Sequence, residues 1–280
     1  MKKLSIILLL CLPFIFSSCS TENISLIKND GKLAIVSTDT RWLIHTKMIV
    51  WDHATVSFIK QKDPKKLWTD EKELINAADI LITSTDKDSS VLANVLQEYH
   101  GTHLQLTQTE SNQQIIKLSE TISHIESIRD AVVELDGKNR GYYYDQAGNY
   151  ENNIQETYRK LQSRINEYNK QSFLLFSEEN MSIFLQDFWL EKSVQHYTPN
   201  YLREERQMRT KELQKIIQDK NIKIAFMQTN IDKNTLDFLK KSWLTLYIIN
   251  DIQEDISAWG YLRLIEKIVN TFVTAFNAYD

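Results

Sequence analysis

Six histidines and two cysteines carry most of the soft-donor and nucleophilic chemistry open to this chain of 280 residues. His45, His53, His100, His103, His124 and His196 are spread along it. None has the H-E-x-x-H spacing that sets two imidazoles on one helix face for zinc-assisted hydrolysis. His100 and His103 flank Gly101 in an expected turn and offer two ligands, fewer than an open zinc site uses. His124 and His196 have no partner recognisable from spacing. A Gly-rich phosphate loop, a G-x-S-x-G elbow and a Cys-His arrangement are also missing. This residue chemistry points away from an enzyme.

Cys11 and Cys19 both fall in the first nineteen residues. Met1-Lys2-Lys3 supplies a positive start and Leu4 to Phe16 a nearly unbroken apolar run. At about thirteen residues the run is a secretory segment, since a membrane span needs about twenty. The chain is therefore read as exported. Phe16-Ser17-Ser18-Cys19 is similar to a bacterial lipobox, in which the Cys19 thiol is acylated and becomes the new N-terminus after cleavage. The alternative is an ordinary cleaved signal in which Cys19 has no role. Once Cys11 is removed and Cys19 lipidated, no thiol remains for disulfides, thiolate metal sites or cysteine catalysis.

Removing residues 1–19 leaves about 260 residues, enough for one large or two ordinary domains. The formal charge of -4 includes Lys2 and Lys3, and the remaining basic residues are scattered. Nucleic acid is not an expected partner. Three prolines and six glycines, without a repeat of fixed period, lead to an expectation of long helices.

Residues 20–31 read as a polar tether. Strands are expected at Lys32–Ser37, Thr55–Ile59, Ile80–Thr83 and Leu104–Thr107. Between the second and third, Asp70 with Glu73 resembles a capping box opening a helix to Ala78, and between the third and fourth Val91–Tyr99 reads as another helix. From Asn112 to Leu135 apolar residues fall three or four apart, marking an amphipathic helix that Asp136-Gly137-Lys138-Asn139 breaks. A second such pattern runs through Tyr143, Ala147, Tyr150, Ile154, Tyr158, Leu161, Ile165 and Tyr168. About thirty helical residues would be roughly 45 Å long, enough to tie two lobes together. The alternation then resumes, with strands at Phe173–Phe176, Ile222–Met227 and Thr245–Ile249. Helices are expected around Ile183–Leu190 and at Tyr201–Asp219, Asn234–Lys241 and Ala258–Ala278. Tyr143 and Tyr150 read as packing residues rather than a ligand platform with Tyr142 and Tyr144, and Trp189 and Trp243 as core anchors.

This βα order predicts an α/β protein of two lobes. Each has a mostly parallel sheet flanked by helices, the two are joined by one long connecting helix, and the ligand cleft lies between them. The expected boundaries are 32–136 for the N-terminal lobe, 137–170 for the connecting helix and 171–280 for the C-terminal lobe.

Several stretches resemble the substrate-binding lipoproteins of zinc and manganese ABC importers, the cluster A-I solute-binding family. Asp63-Pro64, followed by Ala77-Ala78-Asp79-Ile80-Leu81-Ile82, is similar to the family's Asp-Pro-His segment and its Ala-Asp-hydrophobic strand. Ile128 through Leu135-Asp136-Gly137-Lys138-Asn139, with Tyr143 and Tyr150 beyond, is similar to a helix ending in Leu-x-x-x-Asp-Pro-x-Asn-x-x-x-Tyr. The segments Asn221–Phe226 and Tyr261–Asn270 resemble the second lobe's strand and the final helix. The resemblance implies an extracytoplasmic protein, monomeric and lipid-anchored through Cys19, that captures a divalent metal as transported ligand. Its partners would be an ABC permease and the ATPase subunit beneath it.

In that family three histidines and one carboxylate hold the metal in the cleft. The first histidine position falls here on Lys65 and the second on Gln113. The third falls on Ser177 or Glu178, and the terminal aspartate on Asn250 or Asp251, depending on register. The family's frequent His-rich loop is also missing. A lysine, with a reference pKa of about 10.4, offers no lone pair and places a positive charge where the ion would sit. Gln113, Ser177 or Glu178, and Asp251 could form an oxygen site suited to calcium, magnesium or manganese, with Glu178 and Asp251 the best metal candidates. Three readings stay open. Lys65 replaces the cation and pairs across the cleft with Glu178 or Asp251; the cleft takes a small anionic molecule; or the scaffold persists as a surface interaction or adhesion lipoprotein without a metal.

Overall fold

The computed structural model describes residues 31–59, 67–84, 89–106, 117–168, 171–177, 181, 185–190, 193–203, 206–228, 231–249 and 259–279. The first half holds β1 (Leu33–Ser37), α1 (Thr40–Val50), β2 (Ala54–Phe58), α2 (Thr69–Asn76), β3 (Ile80–Ser84), α3 (Ser89–Leu96), β4 (Thr102–Leu106) and α4 (Leu118–Leu135). A 3₁₀ turn at Gly137–Asn139 leads into α5 (Arg140–Asn166). The second half holds β5 (Phe173–Phe176), β6 (Val194–Tyr197), α6 (Arg206–Asp219), β7 (Ile224–Met227), α7 (Lys233–Lys241), β8 (Thr245–Ile248) and α8 (Gly260–Asn277).

Two four-stranded sheets form, with strand orders β2-β1-β3-β4 and β6-β5-β7-β8, and every pairing is parallel. The second order is the first advanced by four strands, so the two lobes repeat one topology. Inner strands of a parallel sheet are covered on both faces and need continuous apolar runs. Ile80-Leu81-Ile82, Phe173-Leu174-Leu175-Phe176 and Ile224-Ala225-Phe226-Met227 supply them, and all these residues are buried. The outer strands β4 and β8 alternate or lie half open.

The expected elements form, with differences at their ends. The amphipathic pattern from Asn112 is helical from Leu118 among the described residues, and the helix expected from Tyr201 begins at Arg206. Of the helix expected around Ile183–Leu190, residues 185–187 are helical and 188–189 form a turn, while 183 and 184 lie outside the described residues. Strand β6 has no counterpart in the sequence reading, because Val194-Gln195-His196-Tyr197 is short and mixed in polarity. The start of α2 differs too: Glu71 Oε2 accepts from the Trp68 amide at 2.7 Å, so the box opens two residues before the Asp70–Glu73 pair.

Trp189 and Trp243 are not core anchors. They are 55% and 96% exposed, each in the turn that leads from a helix into a strand, with left-handed φ of 55° and 59°. A pattern of apolar residues carries no information on that backbone turn, which aims the side chain off the sheet. Trp42 is the tryptophan that fills the core.

Helix α5 is 27 residues long, about 40 Å at 1.5 Å per residue. Tyr143, Ala147, Tyr150, Ile154, Tyr158, Leu161 and Ile165 form one buried stripe at helical spacing. The tyrosines confirm packing as their role and mark the helix's passage between lobes. Tyr143 donates to Asp136 Oδ2 at 2.6 Å, and Asn139 Nδ2 donates to the same oxygen at 2.7 Å, so Asp136 holds the turn from α4 to α5. Tyr158 stacks on Phe188 at 5.2 Å, and Tyr168 stacks on Phe276 at 5.6 Å. One apolar cluster consequently runs from Ile35 and Trp42 through α5 to Phe272 and Phe276.

Candidate functional site

In both sheets the chain moves outward in opposite directions on either side of an inner strand pair, β1/β3 and β5/β7. A crevice opens beyond the carboxyl ends of the strands at such a switch point, where the neighbouring loops diverge. The side chains at those ends are polar although buried: Ser37, Thr83 and Ser84 in the first lobe, Ser177 and Gln228 in the second.

Asp39 follows β1 and caps α1, accepting the Arg41 amide at 2.9 Å. Such a cap is worth about 1 kcal/mol. The Arg41 guanidinium returns to the same carboxylate, Nε to Oδ1 at 2.9 Å and Nη2 to Oδ2 at 2.5 Å, and is 5% exposed. This fork is the charge-assisted geometry that lets a buried cation persist. Sequence reasoning missed Arg41. Its signal is positional: a charged pair spaced i, i+2 directly after a buried strand.

Beneath this floor lies a polar aromatic cluster drawn from both lobes and α5. His45 Nδ1 lies 3.0 Å from Tyr150 Oη, and the His45 ring meets Tyr261 edge-on at 5.2 Å. Tyr261 Oη lies 2.8 Å from Thr121 Oγ1 and 3.4 Å from Tyr158 Oη. Tyr261 belongs to α8 and Thr121 to α4, so this hydroxyl pair joins the lobes. His45 is fully enclosed, and burial, reinforced by the positive charges of His124 and Arg41, lowers its pKa to about 3 despite the opposing pull of Asp39. It is therefore neutral. Its Nε2 and Trp42 Nε1 make no hydrogen bond among the described residues. Burial raises the Tyr261 phenol to about 12.

A second tie crosses between the lobes at the start of α4, which has no side-chain cap of its own. Asp187 Oδ2 accepts the Leu118 amide at 2.9 Å, and Gln162 Nε2 donates to the Asp187 carbonyl at 2.5 Å. Burial raises the Asp187 pKa against the lowering effects of the Leu118 amide and Lys117. Asp187→Ala should cost about 1–2 kcal/mol, the loss of a capping acceptor, while Asp187→Asn should keep most of it. Urea midpoints of the two variants at pH 7 decide; equal midpoints would mean that the amide finds another acceptor.

Of the expected ligand positions, Ser177 lies within the described residues. Lys65, Gln113, Glu178, Asn250 and Asp251 lie outside them, in the segments that follow β2, β4, β5 and β8. Ser177 is buried, with Oγ 3.0 Å and carbonyl oxygen 2.9 Å from His196 Nε2. The other described histidines are also engaged locally or set apart. His103 is in β4 rather than a turn, with Nε2 2.9 Å from Thr83 Oγ1. His124 packs edge-on to Trp42 at 4.5 Å, and His53 lies 4.0 Å from the Tyr142 ring. Among the described residues no group of three or more His, Cys, Asp or Glu side chains is placed to hold a metal ion.

Two lobes of one topology, bridged by a single long helix and carrying buried polar residues at the carboxyl ends of their strands, define a two-lobed α/β fold. The chain belongs to the family described as zinc-uptake complex component A, periplasmic (ZnuA), which matches residues 77–275. No curated protein matches the sequence.

Solved structures share the fold at low identity. The Pseudomonas aeruginosa protein FpvC in complex with Ni2+ superposes with a TM-score of 0.66 at 16% identity, over 89% of this chain and 98% of that one. A periplasmic metal-binding protein from Candidatus Liberibacter asiaticus gives 0.66 at 16%, over 88% and 100%. The laminin-binding protein Lmb of Streptococcus agalactiae, described as a bifunctional protein with adhesin and metal-transporting activity, gives 0.66 at 13%, over 87% and 99%.

Proposed function

We propose that this chain is the extracytoplasmic substrate-binding component of a metal ABC importer, a binding protein rather than an enzyme. It captures its ligand in the interlobe cleft and hands it to a permease driven by an ATPase subunit. Family membership over residues 77–275, on two parallel sheets that repeat one strand order, carries this reading. The protein acts as a monomer, anchored by lipid on Cys19, with lobes at 32–136 and 171–280 and residues 137–170 between them. The lipobox-like Phe16-Ser17-Ser18-Cys19 supports the anchor.

The metal site is altered. Lys65 and Gln113 stand where the family resemblance places histidines, and a protonated lysine neither donates an electron pair nor tolerates a neighbouring cation. Glu178 and Asp251 leave an oxygen-rich remainder that favours a hard divalent ion over zinc. Binding of zinc, manganese and calcium to residues 20–280 is the test, by elemental analysis and calorimetry beside a Lys65→His, Gln113→His variant. The variant should bind zinc about a hundredfold more tightly than the parent, a gain of about 2.7 kcal/mol. Tight stoichiometric zinc binding by the parent would overturn the altered site and keep the importer. Absence of any binding, recovered in the variant, would favour a second reading, an adhesion lipoprotein on a retained scaffold. The adhesin activity ascribed to Lmb is the observation behind that alternative.

A further inference from the structure

We propose that the pole of the N-terminal lobe where the strands begin rests on a lipid bilayer, with Trp51 as its interfacial anchor. The inference goes beyond the reading that Cys19 carries a lipid and rests on it for the nearness of the bilayer. The chain enters β1 through Gly31, with φ of 76°, beside the turns that lead into β2, β3 and β4. Eleven residues separate Cys19 from Gly31. Fully extended they span at most about 40 Å, so this pole cannot travel far from an acylated Cys19. The opposite pole, where β5 to β8 begin, lies a further α5 length away, about 40 Å.

At the tethered pole large side chains face solvent. Trp51 ends α1 and is 61% exposed, Leu135 ends α4, and Tyr144 lies in the first turns of α5 and is 39% exposed. The His53 ring lies 4.0 Å from that of Tyr142, tilted by 39°, which joins the Trp51 turn to α5. The Arg129 and Arg140 guanidinium groups lie over the Tyr144 ring at 4.6 and 5.3 Å, and Lys138 is open beside them. Tryptophan and tyrosine with neighbouring cations are the side chains that settle at the headgroup level of a bilayer. Asp130, 2.8 Å from Arg129, and Asp136, 3.9 Å from Lys138, offset the cations, so the attraction is aromatic and does not require anionic lipid.

Trp51 also has φ of 45°, a conformation that disfavours any residue with a Cβ. Most of the residue stays in water in return. Contact with a surface outside the fold recovers the apolar area left in water. Trp189 and Trp243 share the left-handed backbone but precede strands of the other lobe, a helix length further from the tether, and serve as internal controls.

Cys19 is the single thiol after residues 1–18 are removed, so purified residues 19–280 can be coupled through it to maleimide lipid in phosphatidylcholine vesicles with brominated acyl chains. Tryptophan emission should be quenched, at least threefold less so in Trp51→Phe, and unchanged from the parent in Trp243→Phe. Equal quenching in parent and Trp51→Phe, or none in the coupled parent, would overturn the proposal. Mass spectrometry of the protein extracted from its native membrane tests acylation separately. An unmodified Cys19 there would remove the anchor reading and the proposal's reason for a nearby bilayer, whatever the vesicles show.

Discussion

Lowering the pH from 7 to 5 should destabilise this protein by about 2 kcal/mol through His45 alone, and His45→Gln should abolish that share. The folded state holds the imidazole neutral down to about pH 3, while the unfolded chain protonates it at the ordinary histidine value of about 6.5. Above pH 6.5 both states are neutral and the group contributes no pH dependence. Between 6.5 and 3 the unfolded state binds a proton that the folded state refuses, so stability falls with pH by about 1.4 kcal/mol per unit. Below 3 both states are protonated and the loss levels off. Gln retains a group for Tyr150 to bond and cannot titrate. Asp187 and Glu151, whose burial raises their pKa values, act in the opposite sense by favouring the fold in acid, and they are common to both proteins. Urea denaturation of parent and variant at pH 7 and 5 gives the double difference. A slope that is the same in both would mean that His45 is accessible to protons in the folded state.

Phe226→Ala should cost about 3–5 kcal/mol, the expected loss for truncating a fully buried phenylalanine. Phe226 is inaccessible in β7, with its ring 4.1 Å from Phe272, 5.3 Å from Phe173, 5.6 Å from Tyr247 and 5.9 Å from Phe276. Small residues cannot fill that space, because the surrounding rings come from two strands and a helix already fixed in place. The same variant tests how the lobes are coupled. The apolar cluster around Phe226 is continuous through α5 with Trp42 of the first lobe, so both lobes should unfold in one transition at a lower midpoint. Circular dichroism followed together with the fluorescence of a variant that keeps Trp42 as its sole tryptophan reads both parts. Two separated midpoints would show that α5 transmits too little packing to make the molecule cooperative.

The turn between the two long helices was legible in detail because its chemistry is local. Asp136, Asn139 and Tyr143 lie within two helical turns, and their hydrogen bonds follow from the spacing that marked the motif. The stripe from Tyr143 to Ile165 was legible because a 3.6-residue period survives in any sequence that buries one helix face. The central strands were legible because both faces are covered and apolar residues run unbroken. β6 was not, since an edge strand with one half-open face needs no such run.

Sequence alone thus determined where strands and helices alternate, the long tie between lobes and the family. These depend on neighbours within a few turns of the chain or on order along it. Only the tertiary structure decided what the buried polar groups do. Arg41 folds back on Asp39, His45 meets Tyr150 105 residues away, and Tyr261 reaches Thr121 across 140. It also turned Trp189 and Trp243 outward and repeated one strand order in both lobes without a repeat in the sequence. A parallel sheet constrains which positions are apolar and leaves the residues free. Pairs distant in sequence are set by packing, which no local pattern records.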